Sequence, residues 1–433
     1  MICIGQIKST LDNKSFIKER GAIPFLLSGR TDCAIREEKA VKKLTIVCIL
    51  LCLLACGRKE AVPQGNSAAE KGLDNSARET KVLSDILKEP KTMEFTAVSV
   101  DDIKEGFSKK EISKDSVFGF DPKEEILYQD ISDPTLEAFK NIRITDLKTG
   151  EGHDVELERA YKYMDAEKVV DGTFYFIGSN TDAGVDYVEV HPDGKVKRVA
   201  LSDFDRIAAF AEKAGFYVSL EKVLGENKLE NAMYFIEYGG EKADEILNAA
   251  FTLGKDEEVK EGHLYTNFYG MGNTVGFQEL DDYSENVTEA KGSYLLDREK
   301  NTLYEIPFIT RLSRYLAGDP DLIVNLNAPN PEGEPEDDRC TLYKKEGEGY
   351  RPYVLPGYDY SNFLRESRIL DDGRLFIHGD VSLDFVDLSD MKGQKISTRQ
   401  ENLRSFFFSN DGILSFVEED GDKNYLYWGR VEK

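Results

Sequence analysis

The stretch VDGTFYFIG, residues 170–178, decides how the rest of the chain is read. An acidic residue and a glycine mark a tight turn, because glycine reaches positive φ without a steric penalty. The aromatic and β-branched run behind them suits a half-buried strand. The same order returns in KAGFYVSL around Gly215, KEGHLYTNF around Gly262, DDGRLFIHG around Gly373 and NDGILSFVE around Gly412. Two further units carry proline where the others carry glycine: FDPKEEILY at Pro122 and GDPDLIVNL at Pro320. Successive units lie 39 to 58 residues apart. Behind them runs a second pattern of strand and polar turn: IRITDLKTGEG, DYVEVHPDGKV, MYFIEYGGEK, YLLDREKNTLY, TLYKKEGEGY and DFVDLSDMKG.

A single four-stranded antiparallel sheet cannot bury both of its faces. A ring of such sheets buries them against one another and leaves only short edges. A recurring step of about 40–50 residues is the sequence mark of propeller blades. The chain therefore resembles a bacterial β-propeller, in the broad WD-repeat or TolB-like sense, over residues 93–433. The resemblance implies an all-β fold of seven four-stranded blades, with six or eight as alternatives. The motifs are degenerate: there is no Gly-His…Trp-Asp signature, and Trp428 is the one tryptophan. DRIAAFAEKAG, residues 205–215, reads as the inner strand of blade three rather than a helix. The last unit offers three strands, SFFFS, ILSFVE and YLYWGRV, and lacks a fourth. An open blade would expose a strand edge to pairing. Residues 93–100, MEFTAVSV, precede blade one and are expected to pair beside residues 425–431 and close the ring.

The N-terminal region has a different character. Residues 44–55 are apolar except for Thr45, follow two lysines and end in Ala55-Cys56. Twelve residues are too few for a bilayer span, which needs about 20. A charged start, a short apolar core and a small residue at the end describe a secretory signal. Leu53-Leu54-Ala55-Cys56-Gly57 resembles the lipobox of bacterial lipoproteins. The resemblance implies a diacylglyceryl group on the Cys56 thiol and cleavage between Ala55 and Cys56. Residues 41–55 then form the signal peptide. Residues 1–40 read as an over-extended start, with Val41 as the initiating codon; a genuine cytoplasmic extension is the alternative. Residues 56–92 are small and polar and read as a flexible tether. Within them Val82, Leu83, Ile86 and Leu87 suggest a short helix or turn before Pro90.

The whole chain carries 56 basic and 81 acidic side chains, a net charge of −25. Residues 1–55 hold 9 basic and 5 acidic groups, so the chain from Cys56 onward is near −29. Such a surface repels nucleic acid, which excludes it as a partner. Five of the six cysteines lie at or before position 56, leaving Cys340 alone in the folded part, so the fold relies on its core rather than on disulfides. No Gly-x-Ser-x-Gly elbow, P-loop or GxGxxG is present.

His153, His191, His263 and His378 have no paired spacing and read as isolated polar residues, so no metal site is assigned. DGDKN, residues 420–424, opens like a calcium loop but has Tyr425 and Val431 where an EF-hand needs glycine and glutamate. Loose calcium binding is the one cofactor left open. Long loops on a rigid ring are where function sits. Two connections between a blade's second and third strands, residues 270–290 and 327–339, and one inter-blade segment, 355–363, are expected on one face. Their lip would join Asp281, Asp282, Glu336, Asp337 and Asp338 to Tyr283, Tyr358 and Tyr360. Carboxylates beside aromatics suit a basic protein or a stacked sugar. The expectation is a membrane-anchored lipoprotein of the bacterial cell envelope, outside the cytoplasm, whose propeller binds a protein or glycan without catalysis. The alternative is an envelope hydrolase or lyase working in the central pocket.

Overall fold

Alternating apolar residues and tight turns drive the chain from Glu79 onward into strands. The computed structural model describes residues 78–432, apart from 181–183, 203, 226, 255–256, 284–286, 329–338, 358–363 and 401. Among the described residues, seven sheets of four or five strands follow one another as the blades of a β-propeller. The blades span residues 116–161, 163–202, 206–262, 264–305, 313–355, 364–397 and 403–430. In each, the first strand is innermost; these seven strands are Ser116–Asp121, Tyr163–Val170, Arg206–Ala211, Leu264–Met271, Ser313–Asp319, Leu364–Ile369 and Leu403–Phe408. Residues 206–211 are thus strand, as the parallel with the other units required.

The repeat motif marks the turn between first and second strands. In blade two the turn is Asp171-Gly172, with φ of 46° and 77°. Two positive φ values twist a two-residue hairpin in the sense of its strands. Six of the seven motifs fall at this turn. Blade four departs from the reading: its turn is at Gly272, not Gly262. Gly262 lies in a fifth strand of blade three, Val259–Gly262, where a Cβ would meet the Ala250 carbonyl oxygen at 2.0 Å. Its glycine serves a close strand approach, and a motif built on glycine alone cannot separate the two uses.

The core lies between blades. Phe118, Tyr128 and Phe139 of blade one meet Phe174 and Phe176 of blade two, with Phe118 and Phe139 rings 4.9 Å apart. Equivalent clusters join each neighbouring pair, including blades seven and one through Val417, Leu426, Phe120 and Leu127. At one seam a Cβ on Gly276 of blade four would come within 2.0 Å of the Leu316 carbonyl oxygen of blade five.

The N-terminal segment forms an outer belt. Strand β1 (Glu79–Val82) pairs in parallel with the outer strand of blade four, β2 (Lys91–Thr92) with that of blade five, and β3 (Glu94–Val98) with that of blade six. Helix α1 (Val100–Lys104) then turns the chain. Ser99 caps it, and Val100 is buried in the cluster shared by blades six and seven. Strand β4 (Ser108–Ile112) runs antiparallel to Lys423–Arg430 and completes blade seven.

The ring is therefore closed by an N-terminal strand, as the missing fourth strand required, but by residues 108–112 rather than 93–100. Residues 93–100 supply β3 to blade six instead. Lys109 lies 3.9 Å from the Tyr425 ring centroid, and Lys423 pairs with Glu111 at 2.7 Å, so polar residues hold this edge. The tether boundary at residue 92 also moves, because residues 79–92 contribute β1, β2 and a bridge from Leu87 to Tyr350. Val82, Leu83, Ile86 and Leu87 form no helix: blade edges offer backbone partners that an isolated helical turn lacks.

Candidate functional site

Inner strands of blades one, two, three, six and seven surround a cavity of about 270 Å³ at the ring centre. Residues that should be apolar in a packed sheet are charged here. Blade two supplies Asp165, Glu167 and Lys168, and blade six supplies Arg365, Glu366, Arg368 and His378. Phe118, Phe210 and Phe406 provide apolar lining. Beyond Phe210 an aromatic wall continues through Tyr269 and Tyr315, whose rings are 4.3 Å apart. The Tyr315 hydroxyl meets Ser367 Oγ at 2.8 Å and ties blade five to blade six.

The cations converge. Lys168 Nζ donates to the Phe408 carbonyl at 3.0 Å, and Arg368 Nη2 donates to the same oxygen. Arg368 is 4 % exposed, and its guanidinium carbon lies 5.3 Å from the Phe376 ring centroid. Its Nη2 is 3.8 Å from Glu366 Oε1, while His378 Nδ1 is 3.7 Å from that oxygen. Two polar atoms here have no hydrogen-bond partner among the described residues: Arg368 Nε and Asp165 Oδ2. Buried polar atoms are seldom left so.

Confinement perturbs the ionisation of these groups. Burial pushes Glu167 up to about 7, helped by the negative Glu366. Its side chain is exposed to the cavity, but the inner strands ring it, so the water it meets is confined. Burial brings Lys168 down to about 7, and the neighbouring Arg368 adds to this. Burial raises Asp165 to about 6. Glu212, immediately after the inner strand of blade three, is raised to about 7 by burial despite the attraction of Arg368. Burial also opposes ionisation of Glu366, but Arg368 and then His378 overcome it and hold this carboxylate well below its ordinary range. A cleft with groups shifted toward neutrality by burial and specific charges is where binding or proton transfer is found.

The loop residues expected at the lip behave differently. The connection in blade four is 281–291, because Thr274–Leu280 is a buried strand. Asp281 is exposed and pairs with Lys291 at 3.4 Å. Asp282 makes a strand bridge with Glu258. Tyr283 is buried, 8 % exposed, rather than presented to solvent. It stacks near Phe251, accepts a hydrogen bond from Arg206 Nη1 at 2.9 Å and donates to Glu221 at 3.2 Å. A ring with an apolar partner and a satisfied hydroxyl gains more inside blade three than on a lip. Glu336, Asp337, Asp338, Tyr358 and Tyr360 lie outside the described residues, as do Ala55 and Cys56. Residues 420–423 form a tight hairpin in blade seven, with Asp422 3.4 Å from Lys114. His263 pairs with Glu279 at 3.0 Å, while His378 lines the cavity. Among the described residues no group of three or more His, Cys, Asp or Glu is placed to hold a metal.

The cavity cluster was missed in the sequence. Its signal was the charge in DAEK, residues 165–168, and RESR, residues 365–368, which is denser than in the other inner strands.

No family model and no curated protein matches this chain. Solved structures share its fold. The β-propeller domain of the Trilobed protease from Pyrococcus furiosus is 12 % identical, with 74 % of this chain and 96 % of that one covered and a TM-score of 0.45. An uncharacterized protein from Listeria monocytogenes is 9 % identical over 72 % of this chain and 91 % of its own, with a TM-score of 0.39. The Swd1 β-propeller domain of Myceliophteria thermophila is 10 % identical over 75 % of this chain and 100 % of its own, also at 0.39. These are likenesses of fold alone.

Proposed function

We propose that this protein is a lipid-anchored lipoprotein of the bacterial cell envelope whose propeller is a non-catalytic binding module. The anchor rests on the order of charge, apolar core, Ala55 and Cys56 in the sequence. Binding rests on one observation: side chains of both charges, among them Asp165, Glu167, Lys168, Glu366 and Arg368, line one cavity between inner strands. The ligand seat is therefore the central cavity. A protein or glycan held by the outer loops has lost Tyr283 from its support. A ligand that binds only the folded state raises the melting temperature. The low-molecular-weight fraction of an envelope extract should raise that of the native protein. It should raise that of a Lys168→Met variant less, because this variant loses a cation that lines the cavity. Equal shifts in both proteins, or none in either, would count against the cavity as the seat.

The second reading is an envelope hydrolase or lyase in the same cavity. Glu167 and Lys168 favour it, because both line the cavity and are shifted to about 7, where proton transfer is most efficient. Under this reading the extract component is consumed, and Glu167→Gln stops its consumption while still binding it.

A further inference from the structure

We infer that the cavity takes a small zwitterion of amino-acid size, its carboxylate on Arg368 and Lys168 and its ammonium on Asp165 and Glu167. This rests on the reading of the cavity as the ligand seat. The cationic side comes first. Lys168 and Arg368 donate to one carbonyl oxygen, that of Phe408, so the two nitrogen donors are held side by side. That neighbourhood favours an anion. Arg368 also lines the cavity, and its planar, permanently charged guanidinium suits a carboxylate.

The anionic side excludes a simple anion. Asp165 and Glu167 both line the cavity, and Glu167 has its side chain exposed to it. Glu366 adds a further negative charge. A ligand of negative charge alone would be repelled by these groups, and one of positive charge alone by Arg368 and Lys168. A molecule carrying both charges satisfies both sides. Size limits it further. Pockets for drug-sized ligands run from about 300 to 1,000 Å³, and this one is about 270 Å³. Phe118, Phe210 and Phe406 supply a surface for an apolar side chain.

Isothermal titration of the native full chain with L-phenylalanine, phenylpropanoate, phenethylamine and glucose tests this directly. The zwitterion should bind, and each single-charge analogue should bind at least about tenfold more weakly. Arg368→Lys keeps the charge, loses the planar fork and should weaken L-phenylalanine at least about tenfold. Glu167→Gln, exposed to the cavity and tolerant of change, should weaken L-phenylalanine and phenethylamine but not phenylpropanoate. If Arg368→Lys does not fold, the analogue series on the native protein decides. Phenylpropanoate binding as tightly as L-phenylalanine would overturn the inference, as would failure of every proteinogenic amino acid to bind. If glucose or the envelope extract then still raised the melting temperature of the native protein more than that of Lys168→Met, the class would be wrong and the cavity right. If nothing did, only water occupies the cavity and both readings fall.

Discussion

Replacing Glu212 with glutamine should stabilise the propeller, and only at neutral to alkaline pH. Glu212 is 4 % exposed, and burial raises it from 4.5 to about 7. The sign follows from which form each state prefers. Below the unfolded value of 4.5 both states hold the proton, and the buried neutral form contributes its full stability. As pH rises through the folded value of about 7, that contribution is lost, because the ring must then hold a buried carboxylate. The full difference corresponds to about 3 kcal/mol at about 1.4 kcal/mol per tenfold change in proton affinity. Between pH 5 and pH 8 most of it is expressed, about 2.5 kcal/mol. Glutamine has nearly the same shape and never ionises. With roughly 350 ordered residues and about 2.1 cal/mol/K of unfolding entropy per residue, 1 kcal/mol moves the melting temperature by about 1.4 °C. Scanning calorimetry of parent and Glu212→Gln should therefore show the variant gaining about 3–4 °C at pH 8 relative to its difference from the parent at pH 5. A pH-independent difference, or a variant worse at pH 8 than at pH 5, would refute the claim that Glu212 is a costly buried acid.

Lys168 should respond with the opposite sign: its folded value is depressed, so its contribution is present above 10.5 and is lost as pH falls through about 7. A Lys168→Met variant should gain most over the parent below pH 7 in the same scans. Truncation through residue 112 removes β4 and opens blade seven, whereas truncation through residue 92 removes only β1 and β2. The longer truncation alone should red-shift the emission of Trp428, which packs on Phe120 at the seam of blades seven and one. Cys56→Ser should abolish fatty-acid labelling and release the protein from the membrane fraction; persistent attachment would remove the anchor. Tyr283→Phe should cost about 1 kcal/mol in urea unfolding through its lost hydroxyl bonds to Arg206 and Glu221, and leave ligand binding at the cavity unchanged.

The repeat was legible because its information is local. A turn such as Asp171-Gly172 needs positive φ at two adjacent residues, and the amino acids that permit it stand together in the sequence. The same local logic misplaced blade four, since Gly262 and Gly272 both adopt positive φ, for different reasons. Tyr283 shows the limit for single residues. Its loop position was readable, but Phe251, Arg206 and Glu221, which draw it inward, come from other strands.

By itself the sequence determined an all-β chain of repeated blades, the inner strand in blade three, an incomplete last blade and a net charge of −25. Each follows from neighbouring residues or from composition. Only the tertiary structure decided which N-terminal strand closes the ring. Residues 94–98 and 108–112 are both short strands, and the choice depends on the turn at α1 and on lysines reaching Tyr425 and Glu418. Tertiary structure alone likewise assembled the cavity. Residues 165–168 and 365–368 are separated by up to 203 positions, and their charges meet because successive inner strands return to one axis. A backbone closed into a ring converts positions equivalent within the repeat into neighbours in space, and no local pattern records which of them will face one another.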